Sequence, residues 1–244
     1  METIEKKIVE KHNEILTIVS HDLKSPMVAI IGFSEYLYND MKNKPHDPMW
    51  ADLLKRVIEA GHGMQGLIED ILAMAKMEAG KEHVEPGWVK NLSAELQSVL
   101  KTFEFEAGAK GIKMTLDAKN PLPEVRWDMR RIHYHVLNNI ISNALKFTPS
   151  GGLITVSASA SDEGAVKIRI SDTGPGIPEK ERKMIFNRFE RGDSDTRRLH
   201  SGSGLGLYNA HLFVTQHGGK IEVESSSERG TTFLITLPLD AASA

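Results

Sequence analysis

The 244-residue chain contains no cysteine. That excludes a disulfide framework, a thiolate nucleophile and cysteine-ligated zinc, and it fits a reducing compartment. Long apolar runs are missing too. None approaches the ~18 residues a spanning helix needs, so no membrane contact is expected within the chain. The charged start METIEKKIVEKHNE lacks the apolar centre of a signal peptide. The expectation is a cytoplasmic chain, with any sensor or membrane segment upstream of it. Nor is there an excess of one charge: 30 Lys and Arg stand against 33 Asp and Glu, a net charge of -3. No bulk basic field exists for nucleic acid or anionic lipid. The remainder is ordinary for a soluble globular protein, with 40% hydrophobic and 26% charged residues and length for one large or two modest domains.

Two kinds of apolar pattern divide the chain. Ile4, Ile8, Ile15, Ile18, Ile30, Phe33 and Leu37 recur at helical spacing. After the breaker NKPHDP (43–48), Met49, Leu53, Val57, Ala60, Met64, Leu67, Ile71 and Met74 repeat at close to 3.5 residues. This predicts an antiparallel helical hairpin over residues 1–80. Its seam is too long to bury alone, so a homodimer forming a four-helix bundle is the economical solution; the alternative is a monomer whose seam packs on the downstream domain. EAGKEHVEPGW (78–88) has no period and supplies the linker, placed at 81–88. From 89 to 244 the pattern changes. Asn91 can cap a helix from Leu92 towards Ala107, 112–118 reads as a strand, and 128–147 as a helix. The alternating runs 153–161 and 165–172 form a hairpin. A short helix near 179–188, a helix over 207–217 and a hairpin of 220–226 with 231–238 complete the chain. The fold class is α+β: a helical hairpin followed by an α/β sandwich.

Three segments of the second domain carry chemistry suited to a Mg-nucleotide. In DTGPGIP (172–178), Asp172 stands at the exit of an apolar strand, where a carboxylate can accept from an exocyclic amine. Gly174 and Gly176 allow a tight turn close to a planar base. In GSGLGL (202–207), Gly202, Gly204 and Gly206 around Leu205 present backbone N–H groups ahead of a helix, an arrangement suited to phosphate. It is neither a Rossmann fingerprint nor a P-loop. In NNIISNALKFT (138–148), Asn139, Asn143 and Lys146 share a face of a half-buried helix. A carboxamide oxygen suits Mg²⁺ and the lysine can neutralise phosphate. Read singly, each segment is also good turn, loop or solvated-helix chemistry.

With SHDLKSP (20–26) at the front, the four segments resemble, in order, the H, N, G1 and G2 boxes of sensor histidine kinases. Residues 88–240 are similar to the ATP-binding fold that these kinases share with gyrase, Hsp90 and MutL. The resemblance implies ATP as phosphate donor, Mg²⁺ held by Asn143 with Asn139, and adenine met by Asp172. NRFERGD (187–193) resembles the F box, with Phe189 under a lid of roughly 190–204, and Gly230 and Thr231 match a weaker Gly-Thr motif. The ATPase branch carries a Glu where this chain has Asn139. A carboxamide is no general base, so attack by water on ATP is disfavoured.

His21 is then the phosphoacceptor, with Asp22 holding one ring nitrogen as N–H. Pro26 cannot donate to the carbonyl of Asp22, so the helix should loosen beside His21. Ser25 stands where many relatives carry Thr or Asn for removing phosphate from a partner. His133 and His135 are two apart and cannot jointly bind a metal; the nine histidines other than His21 read as structural or surface residues. The activity implied is autophosphorylation at His21, with transfer to an aspartate in a response regulator receiver domain. The competing readings are a degenerate module that only binds ATP and docks partners, and a mechanical ATPase.

Overall fold

The computed structural model describes residues 26–37, 39–40, 49–78, 84–118, 121–161, 163–190, 204–226 and 230–241. The chain divides into two compact units, Met1–Ala75 and Lys76–Ala244. In the first, residues 26–37 are helical and are called α1. Helix α2 runs Met49–Glu78. The Trp50 indole N–H donates to Asp40 at 3.1 Å, tying helical residue 40 to the start of α2. Leu53, Val57, Ala60, Met64 and Ile71, all on the predicted seam, are half-buried. Val28, Ile31, Leu54, Ile58 and Ile68 are exposed, so each helix carries a second apolar stripe.

The second unit layers helices on one sheet. Its strands are β2 (Lys113–Ala118), β4 (Leu153–Ser161), β5 (Ala165–Asp172), β6 (Lys220–Ser226) and β7 (Gly230–Pro238). They lie in the order β2-β4-β5-β7-β6, and only β2 with β4 is parallel. Both predicted hairpins form, in registers that pair Ile154 with Asp172 and Ile221 with Ile235. Alternation decides the faces. Ile154, Val156, Ala158, Val166, Ile168, Ile170, Phe233, Ile235 and Leu237 all turn inward. They meet Leu92, Leu96, Val99 and Leu100 of α3 (Leu92–Ala109), whose start is capped as expected: the Asn91 side chain accepts from Ala94 N–H at 3.0 Å.

Three features differ from the sequence reading. Gly87 and Trp88, expected as linker, join Val89 in strand β1 (Gly87–Val89), which pairs antiparallel with β3 (Val125–Trp127). Three-residue strands leave no periodicity to read, and the Trp127 indole bond to the Pro238 carbonyl at 2.6 Å, which anchors this ribbon, is long-range. The helix over 128–147 is interrupted. α4 (Met129–Arg131) passes into a π-helical stretch, Ile132–Leu137, before α5 (Asn138–Phe147). The short helix near 179–188 is a 3₁₀ turn, Glu179–Glu181, followed by successive turns. Its continuation is stopped at Phe189, which takes a left-handed φ of 60° and donates its N–H to the Gly204 carbonyl at 3.1 Å. Helix α6 (Gly206–Gln216) completes the layer.

Candidate functional site

Asp172 belongs to the inward series Val166, Ile168 and Ile170, so strand alternation drives its carboxylate towards the helices. It is 7% exposed. One oxygen accepts from Gly174 N–H at 2.8 Å and from Thr231 N–H at 3.3 Å. Burial pushes the carboxyl pKa up, and the two amides act against that. Among the described residues its other oxygen has no hydrogen-bond partner. Gly174 also lies against the Phe147 carbonyl at the end of α5, and Gly176 adopts a φ of 74°. Thr231 is Asp172's register partner on β7.

The π-helical stretch shifts the backbone register, so the Asn138 N–H reaches His133. The His135 carbonyl accepts from the Asn139 side-chain amide at 2.8 Å. The oxygen of the same carboxamide faces Gly206: a Cβ there would lie 3.0 Å from it, a tight contact that Asn139 would have to shift to relieve. Asn139 therefore braces the helix and seats the glycine-rich segment. One turn on, Asn143 is half-buried, and no described residue hydrogen-bonds its carboxamide. It retains a neutral oxygen of the kind Mg²⁺ accepts. The Lys146 ammonium stands 5.2 Å from the Phe147 ring centre.

At the third segment Leu205 is fully buried, and Gly204 packs on the Phe189 backbone. The Arg188 guanidinium donates to the Tyr208 hydroxyl at 2.6 Å and stacks 4.7 Å from that ring's centre. The structure thus brings Asn139 to Gly206, Phe189 to Gly204, and Asp172 to Gly174 and Thr231, with α5 common to the set. His21, Asp22, Ser25, Gly202 and the stretch 191–203 of the expected lid lie outside the described residues. Among the described residues no group of three His, Asp or Glu could hold a metal, so a cation here would rely on carboxamides and on the oxygens of its ligand.

Residues 11–80 match the His Kinase A phosphoacceptor family, and 128–241 match the histidine kinase-, DNA gyrase B- and HSP90-like ATPase family. The solved mycobacterial sensor histidine kinase MprB is 30% identical with a TM-score of 0.53, covering 64% of this chain and 97% of that one. This chain belongs to the sensor histidine kinase family. A sensor-like histidine kinase of Rhizobium meliloti is 32% identical over 94% of this chain and 43% of its own length. Full-length ShkA, solved with AMPPNP, is 27% identical with a TM-score of 0.67, over 92% of this chain and 45% of that one. The kinase chain spans less than half the length of the curated relatives it matches. Among the described residues no helix is long and apolar enough to cross a membrane.

Sequence reasoning missed two parts of this kinase site. The Arg188–Tyr208 clasp joins side chains 20 residues apart, a separation no local pattern reports. The other is the capping role of Asp128 at the start of the Asn-bearing helix, whose onset at 128 was expected. Asp128 accepts from Arg131 N–H at 3.2 Å and caps it, and an Asp three residues before an Arg at the onset of an apolar run was the available signal.

Proposed function

We propose that the chain transfers the γ-phosphoryl group of ATP to His21 and passes it on to an aspartate of a response regulator receiver domain. One observation carries the nucleotide half: α5 is the shared wall against which the Asp172 loop and the Gly204–Gly206 segment both pack. A carboxylate for the adenine amine, N–H groups at the start of α6 for phosphate and the Asn143 carboxamide, without a hydrogen-bond partner among the described residues, would then line one place. AMPPNP in ShkA supports the choice of nucleotide.

Asn143, with Asn139 in support, would hold Mg²⁺, and Lys146 would face phosphate. The metal would neutralise charge on the phosphate oxygens. A His21 ring nitrogen forms the N–P bond as the bridging P–O bond to ADP breaks, and Asp22 takes the proton from the other ring nitrogen. With Asn139 tied to the His135 carbonyl, no general base stands where a hydrolytic enzyme would need one. The exposed stripes on α1 and α2 support assembly as a homodimer.

The test is incubation with γ-labelled ATP. The chain should take up acid-labile phosphate. His21→Gln should bind ATP normally and take up none, and label persisting on it would reject the assignment. Asn143→Ala should slow labelling by about a hundredfold or more, as loss of a metal contact does; an unchanged rate would make Asn143 an ordinary surface residue of its helix.

A further inference from the structure

His217, at the C-terminal end of α6, is fully buried, and nothing in the chemistry above uses it. Its Nδ1 lies 2.7 Å from the Phe213 carbonyl, which only accepts, so Nδ1 carries the proton. Its Nε2 accepts the backbone N–H of Asp128 at 3.2 Å. Only this neutral tautomer satisfies both contacts; a proton on Nε2 would confront the Asp128 N–H. Asp128 is a junction in its own right. Its carboxylate caps α4 through Arg131 N–H, pairs with the Arg131 guanidinium at 3.0 Å, and accepts the Glu85 backbone N–H at 3.2 Å. Glu85 lies within the predicted linker, two residues before β1.

We infer that His217 is a positioning residue for the nucleotide site, fixing through Asp128 both the origin of the helix that carries Asn139 and Asn143 and the point where the linker is fastened to it. The inference rests on the nucleotide-binding reading above. α6 is thereby pinned to that helix at both ends: Gly206 against Asn139 at one, His217 against Asp128 at the other. A shift of the linker at Glu85 pulls on a carboxylate that starts the Mg-binding helix. A change at the nucleotide reaches the linker by the same route.

The charged groups facing the His217 ring are Asp128 and Arg131, both from the start of α4. His135, from the π-helical stretch, stacks on the Phe213 ring 4.3 Å away, and Glu85 reaches Asp128 through its backbone N–H. Burial is the leading cause that holds the His217 pKa below its ordinary 6.5. The folded state therefore favours the neutral ring. Its contribution is complete above 6.5 and is lost as pH falls below that value through the folded pKa.

The experiment is amide exchange on the full chain at about pH 7 and about pH 5.5, corrected for intrinsic rates, with binding of a fluorescent ATP analogue followed in parallel. Protection at Asp128 and Glu85 should fall together, by about tenfold, while that of Ile168 and Ile235 in the sheet holds. Affinity for the analogue should weaken over the same range. His217→Gln, which can donate and accept without titrating, should flatten both curves. Unchanged protection at Asp128 and Glu85 in the wild type would overturn the inference, as would an equal loss throughout the sheet. An analogue that binds at neither pH would reject the nucleotide reading, while the exchange data still decide the role of His217.

Discussion

Asp172 shows the conflict a functional carboxylate creates. Its place in the inward series is fixed by strand alternation, and burial there disfavours the charge. A carboxyl whose folded pKa is raised stabilises the fold below 3.8 and loses that contribution as pH rises through the folded value. At neutral pH the ionised group is a cost to the fold. Asp172→Asn keeps an oxygen for Gly174 N–H and Thr231 N–H and removes the charge. It should melt at or above the wild-type temperature at neutral pH, yet bind ATP roughly ten- to a hundredfold more weakly. Calorimetry of both variants with and without nucleotide reads the two effects separately; a variant that melts lower would contradict the burial argument. Residues of this kind were legible in the sequence because their position follows from a period of two. His217 was not, since the partner that gives it a role, Asp128, lies on another element 89 residues away.

At the level of elements, the five-stranded sheet and its two hairpins were readable, because runs such as ITVSAS within LITVSASAS alternate. β1, β3 and the π-helical stretch were hidden. Three residues give no period, and a π turn changes which carbonyl an N–H reaches without changing the apolar pattern around Ile132, Val136 and Ile140. Glycine placement was readable as chemistry but not as geometry. Gly230 was matched only to a weak terminal motif, whereas it sits at a φ of 78° with the Asp172 carbonyl where a Cβ would go. Gly230→Ala should therefore destabilise the chain by about 3 kcal/mol and weaken ATP binding as well, because Thr231 N–H would leave Asp172. Urea titration is the check, and a loss under about 1 kcal/mol would show that the β6–β7 turn yields easily.

For the whole molecule, the helical unit poses the larger question. Of the predicted seam on α2, Leu53, Val57, Ala60, Met64 and Ile71 are half-buried and Met49 is exposed, while Leu54, Ile58 and Ile68 form a further stripe that one chain leaves in water. Reading by a 3.5 period selected one stripe per helix and passed over the second, which is the one a partner chain would cover. Ile58→Glu places a charge on that stripe at a position already exposed in one chain, so the single chain should stay folded. Sedimentation of the wild type should give twice 27.1 kDa, and the variant should give 27.1 kDa with ATP binding intact. A wild-type mass of 27.1 kDa would exclude the dimer.

The hydrogen bond from Phe189 N–H to the Gly204 carbonyl, with Arg188 gripping Tyr208 beside it, brings together two points of the chain fifteen positions apart. Whatever length of chain lies between them, the meeting of its ends is enforced by these contacts and not by its own sequence. Closing a loop of twice the length adds only about 0.6 kcal/mol. Residues added between Arg191 and Ser203 should leave the melting temperature of the sheet nearly unchanged, so the segment can lengthen or be replaced by a reporter peptide while its two anchor points stay where they are.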